Sequence, residues 1–180
     1  MKFLTKNKLL PFLLTAGIIL ADQGVKLFIV KNWPLAGGHG TFIKDVFDND
    51  FLWIYHVRNR AIAFSLGDTL PEFIRPVLFI FTPLILLGGL VGYYFKSTEI
   101  TALQRWVLAG IIGGGLGNLI DRIFRPEGVV DFISVKFYGL FGLERWPTFN
   151  IADASVVVSC MVLFLSILFT KTPSGENLHE

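Results

Sequence analysis

LQRWVLAGIIGGGLGNLIDRIF, residues 103–124, is the stretch whose reading decides the fold. Its length suits a helix crossing roughly 30 Å of hydrocarbon at 1.5 Å per residue, yet Asn118, Asp121 and Arg122 interrupt it near one end. If those residues sit at a membrane boundary, the stretch is a span and the chain has four. Val77 to Phe95 is 19 residues without a charge, and Ala154 to Thr170 is 17. The first apolar segment, Leu9 to Val30, is broken late by Asp22, Gln23 and Lys26, and the fourth is broken early by Asn150 and Asp153. Odd spans cross one way and even spans the other, so late in the first and third is the same side as early in the fourth. The interruptions therefore gather at one depth, where charge is expensive and points to function.

Composition agrees with this reading. The chain is 53% hydrophobic, 14% aromatic and only 17% charged, with a mean hydropathy of +0.60, which excludes an ordinary soluble domain. The expected fold is a single integral membrane domain over residues 1–180. It has an all-α core of four transmembrane helices, at about 9–30, 74–95, 103–124 and 150–170, and a small β-sheet and loop domain on the outer face, with outer segments at about 32–72 and 125–149 and the sheet built from the first of them. Leu9 to Ala21 also has the 13-residue length of a signal-peptide core. Because apolar chain resumes at Leu27 and no small-x-small site precedes Asp22, an uncleaved helix is the better reading. Lys2, Lys6 and Lys8, the loop framed by Lys96 and Arg105, and Lys171 place both termini in the cytoplasm by the positive-inside rule.

The outer segments read as surface structure. Phe51 to Arg58 is rich in aromatic and β-branched residues and predicts a strand, with a second short one over Ala61 to Leu66 and a loop at Gly37 to Gly40. Tyr138 and Trp146 suit the aromatic belt at a membrane interface. The tail from Pro173 to Glu180 is polar.

The third span carries two small-xxx-small spacings, Gly110 with Gly114 and Gly113 with Gly117, which let a neighbouring helix approach closely. Gly114, Asn118 and Arg122 recur every four residues on one stripe, which would also suit an extended peptide. Cys160, alone among Val, Met and Leu, reads as a small buried hydrophobe. His39, His56 and His179 lack ligand spacing, so no metal is expected, nor any cofactor or nucleic acid. Carboxylates remain. Asp131 lies just outside the third span and Asp153 one turn inside the fourth, with Asn150 on the same face. Two carboxylates held close share a proton, so one can activate water while the other protonates a peptide carbonyl. Each acid also has a plainer reading: Asp153 complementing a helix N-terminus capped by Asn150, and Asp121–Arg122 and Asp22–Lys26 as neutralised pairs.

Gly113-Gly-Gly-Leu-Gly-Asn118-Leu-Ile-Asp121-Arg122, then Val129-Val-Asp131-Phe, then Phe149-Asn150-Ile-Ala-Asp153 resemble successive signature blocks of bacterial lipoprotein signal peptidase, or signal peptidase II. Asp22-Gln-Gly-Val-Lys26 resembles the family's first-helix motif, and Asn59-Arg-Ala-Ile-Ala63-Phe-Ser65 its outer-loop motif. The resemblance runs from about Leu9 to Thr170. It implies an aspartic endopeptidase of the bacterial plasma (inner) membrane, acting at the outer, periplasmic face. Its substrates would be prolipoproteins, cut just before a cysteine that carries diacylglycerol. By motif position Asp131 and Asp153 are the catalytic dyad, while Asp22, Lys26, Asn59, Gly114, Asn118, Asp121, Arg122 and Asn150 support the dyad or contact substrate. Arg122 would hold a peptide carbonyl or Asp121. One departure is visible: the outer-loop block has Ala61-Ile62-Ala63 where the family usually has Gly-Ala-Ala.

Two other classes compete. A transporter would use Asp22, Asp121 and Asp153 as a proton relay, but only one half of the membrane is polar here. A magnesium-dependent lipid-headgroup transferase would need several acids at turn spacing on one helix, and Asp121 is the only acid in the third span. A chelator separates the latter from an aspartic peptidase.

Overall fold

The computed structural model describes residues 8–36, 43–60 and 71–169. Within them α1 (Phe12–Asn32), α2 (Val77–Lys96), α3 (Ala102–Phe124) and α4 (Ile151–Phe169) are long and apolar enough to cross a membrane. β1 (Lys44–Asp45) and β2 (Leu52–Asn59) lie between α1 and α2, and β3 (Val129–Val135) lies between α3 and α4. The four-helix core with a small sheet is the expected fold class. Gly37 to Gly40, Ala61 to Leu66 with the part of the loop motif that follows Asn59 and Arg60, and the tail from Pro173 lie outside the described residues.

α3 is the central helix. Over half of its span is buried, 56%, against 22%, 17% and 6% for α1, α2 and α4. Its glycines explain this. A Cβ at Gly113 would lie 3.1 Å from Thr15 Cα of α1, and one at Gly110 or Gly114 would strike Ser159 or the Ala152 carbonyl of α4. Missing side chains thus let two helix backbones close on α3 from two sides. Thr15 Oγ1 reinforces the first contact by donating to Ala109 O at 2.7 Å. α3 starts at a capping box, in which Thr101 Oγ1 accepts from Gln104 N (3.2 Å) and Gln104 Oε1 accepts from Thr101 N (3.0 Å).

α2 opens with a wide π-type turn over Val77–Phe81. Pro83 has no N–H to give Phe79 O, and its ring crowds that carbonyl, so the helix widens instead of closing the turn. The Thr82 N–H bonds Val77 O, and Thr82 Oγ1 donates to the same oxygen at 2.9 Å. Leu20, Ile85 and Phe164 point away from the bundle, more than 60% exposed, toward the space acyl chains would fill. Cys160 is exposed on α4 as well. The expectation of a buried thiol is corrected, because α4 meets the bundle on one narrow face and Cys160 lies off it.

The sheet is antiparallel in the order β1-β2-β3. β2 covers the strand expected at Phe51 to Arg58, but its longest partner, β3, comes from the second outer segment, so the sheet is not built from residues 32–72 alone. Ile29, Val130 and Phe132, flanked by Trp33, Ile54 and Ile151, form the apolar cluster that seats β3 on the ends of α1 and α4.

Candidate active site

The sheet side of the bundle holds two polar clusters that share α3. The first centres on Lys26, which is fully buried. Its Nζ meets Asp22 Oδ2 at 2.8 Å, Asp121 Oδ2 at 3.1 Å and Asn118 Oδ1 at 3.0 Å. Three acceptors match the three donors of an ammonium group. Both acids are fully buried too, and their other lone pairs are used. Asp22 Oδ1 accepts from Ala152 N at 3.0 Å, which fastens α1 to the start of α4. Asp121 accepts from Gln23 Nε2 (2.9 Å) and Val130 N (3.0 Å) and pairs with Arg125.

The Asp22–Lys26 pair is present, but the Asp121–Arg122 pair is not. On a helix, side chains one apart diverge by about 100°, whereas residues four apart stack, so Asp121 meets Arg125. Arg122 turns the other way: its Nη1 donates to Asn59 O at 3.1 Å, and its guanidinium lies 5.0 Å from the Phe79 ring centroid. Arg125 and Gln23 were not singled out as site residues. The i,i+4 spacing of Asp121 and Arg125 was the available signal.

The second cluster contains the two acids of interest, whose hydrogen bonds come from amides, while the charges of Lys26 and Arg122 act on them as well. Asp131 on β3 is 2% exposed. Its Oδ1 accepts from Asn150 Nδ2 at 2.7 Å and its Oδ2 from Asn59 Nδ2 at 3.0 Å. Asp153 Oδ1 accepts from Asn118 Nδ2 at 2.7 Å, and its Oδ2 from Asn150 N at 3.1 Å. Asn150 therefore touches both carboxylates, one with its side chain and one with its backbone. It also caps α4, since Asp153 N donates to Asn150 Oδ1 at 2.9 Å. The helix-capping reading of Asp153 is thus physically present alongside the pairing of the acids.

Asn59 reaches Asp131 because of a register irregularity. Ile54 pairs with Ile133 and Val57 with Asp131, so one extra residue is inserted in β2 between Ile54 and Val57. Without it, His56 would face Asp131 and Arg58 would occupy the diagonal position. The bulge puts Asn59 there instead. Burial, and then the charge of Asp153, push the Asp131 carboxyl up to about 7. Gly114 lies against Ala152 and Val156, so its open face is filled by α4 rather than left for a peptide. A Cβ at Gly117 would lie 3.0 Å from both Ala152 Cβ and Asp22 Oδ2. Among the described residues no group of three or more His, Cys, Asp or Glu is arranged to hold a metal ion.

Comparison with known proteins converges on one family. The family model of signal peptidase (SPase) II matches residues 14–169. The chain is 48% identical over 154 residues to a lipoprotein signal peptidase of Treponema denticola, covering 84% of each chain. It is 40% identical over 172 residues to one from Borrelia duttonii, covering 95% of this chain and 97% of that one. A solved bacterial membrane enzyme structure, determined by the in meso method, superposes with a TM-score of 0.75 at 25% identity, covering 94% of both chains. With that family match over most of the chain, the four membrane-length helices and the paired acids at their sheet end, this protein belongs to the signal peptidase II family.

Proposed function

We propose that Asp131 and Asp153 are the catalytic dyad with which this peptidase removes signal peptides from prolipoproteins, cutting just before a diacylglyceryl-modified cysteine. The observation that carries the proposal is the bridging of both carboxylates by Asn150. It draws two acids from separate elements to one place, with amides as their hydrogen-bond donors. The pair then holds one proton near neutral pH. A carboxyl raised to about 7, as at Asp131, can keep that proton and give it to the scissile carbonyl oxygen. Asp153, held by Asn118 and Asn150, takes a proton from the water that attacks the carbonyl carbon. When the tetrahedral intermediate collapses, the proton on Asp153 passes to the leaving amine and Asp131 is reprotonated from the new acid. Water is the only co-reactant.

Lys26 neutralises Asp22 and Asp121 and orients Asn118, so it acts on the dyad through that amide. Arg122, fixed by Asn59 O and Phe79, supports the backbone that delivers the Asn59 amide to Asp131. Gly114 lets α4 come close enough to α3 for Asn118 to reach Asp153. In the proposed topology both termini are cytoplasmic, following the basic loop at Lys96 and Arg105, and the dyad lies at the outer face of the plasma membrane. A substrate with two acyl chains stays in the bilayer, which brings its scissile bond to the depth of the dyad.

The test is incubation of the purified protein in detergent with a diacylglyceryl-modified prolipoprotein, followed as a mobility shift on a gel. Cleavage that resists a chelator and disappears in Asp131→Asn and Asp153→Asn is the expected result. Full activity of either variant would overturn the dyad. Equal cleavage of lipidated and unlipidated substrate would overturn the lipid requirement.

A further inference from the structure

A cavity of about 380 Å³ lies between the sheet-side ends of α2 and α3. Among the described residues, Arg60, Arg75, Arg122 and Arg125 line it against a single carboxylate, Glu72, and its remaining wall includes Pro76, Phe79 and Ile80. We propose that this cavity binds the phosphate of an anionic phospholipid, with the acyl chains lying along α2 and α3.

Two of the guanidinium groups are fixed in advance. Arg122 is held by Asn59 O and the Phe79 ring. Arg125 is held by Gln23 Oε1 at 2.9 Å and by Asp121. Planar guanidinium forks in set positions suit the several oxygens of a phosphate better than a single point charge does, and pre-set donors spare the ordering cost of binding. Asp121 also serves Lys26, so it does not cancel Arg125 alone.

The lipid source follows from what surrounds the cavity. Val77 and Phe81 on α2 and Phe124 at the end of α3 are more than half exposed beside it. A polar cavity opening onto an apolar helix face matches an amphiphile with a charged head. The diacylglyceryl group of the proposed substrate carries no anion, so it does not account for Arg60 and Arg75, the two lining arginines with no part in the dyad's support.

The test uses the full chain in a neutral maltoside detergent with dioleoylphosphatidylglycerol as probe, read by lipid retention in native mass spectrometry and by melting temperature. Wild type should retain one lipid per chain, and R60Q/R75Q should bind it at least tenfold more weakly, about 1.4 kcal/mol. R60K/R75K, which keeps the charge, should recover most of the binding and serves as the folding control. Dioleoylglycerol, which lacks the phosphate, should bind weakly and equally to all three. Wild-type retention by R60Q/R75Q, or dioleoylglycerol retained as tightly as the phospholipid, would overturn the site. Displacement of the lipid by millimolar inorganic phosphate would overturn the lipid source and leave a free-anion site. None of these readouts needs turnover, so they stand apart from the peptidase assay.

Discussion

The Lys26 cluster and the Asp131–Asp153 cluster lie side by side and share Asn118, yet they treat their acids in opposite ways. Asp22 and Asp121 are tied by direct ion pairs to an ammonium and a guanidinium. Asp131 and Asp153 instead accept their hydrogen bonds from amides. Removing two carboxylates from water is tolerable when cations replace the water, and the result is a rigid tie between α1, α3 and β3. Where amides make the direct contacts instead, burial and then the charge of Asp153 raise the Asp131 carboxyl, and a held proton is what acid–base chemistry needs. The difference separates a structural cluster from a reactive one.

Variants should split the same way. Asp131→Asn and Asp153→Asn should each lower kcat more than about 10³-fold with melting temperature nearly unchanged, because the shared proton needs both acids. Stopped-time gel assays beside thermal melts check this, and a loss of fold in step with activity would blur the contrast. Asp121→Asn and Lys26→Met should do the reverse in origin: each leaves one buried charge of the cluster uncompensated and should cost about 3–5 kcal/mol of stability. Equilibrium unfolding in detergent measures that. Normal stability with lost turnover in Asp121→Asn would move Asp121 into the reactive cluster.

Asn118 belongs to both clusters and should give an intermediate result. Asn118→Ala removes a charge-assisted bond to Asp153 and should lower kcat roughly 10–100-fold, with KM little affected. Steady-state kinetics on the lipidated substrate test the split. The smallest effect concerns pH. Asp131 must carry its proton, so kcat/KM should fall as pH rises through about 7. In stability the sign agrees: the folded-state value lies above the ordinary 3.8, so the native state loses stability as pH rises from there to about 7. Asp131→Asn should remove that slope, while Asp121→Asn should keep it. Thermal melts across pH would break the comparison if the slopes were exchanged.

The sequence by itself determined the four spans, since charge-free runs and polar interruptions at one end can be read from hydropathy and from alternating crossing direction. Glycine spacing on α3 foretold close packing for the same reason: a missing side chain has one geometric consequence wherever a helix is surrounded. Residue types also narrowed the chemistry to carboxylates. The tertiary structure decided which groups meet. Asp121 pairs with Lys26 and Arg125 rather than Arg122, because helical stacking and a lysine from another helix outweigh adjacency in the chain. β3 does not announce itself as a strand although Val129-Val-Asp-Phe-Ile-Ser-Val135 is rich in β-branched residues, because its partner lies about 70 residues earlier and pairing is a long-range property. Cys160 was placed inside because burial depends on which face of α4 the bundle takes, and an all-apolar helix does not mark that face. The single inserted residue in β2 fixes Asn59 rather than Arg58 beside Asp131, and only the paired register of two distant strands reveals it.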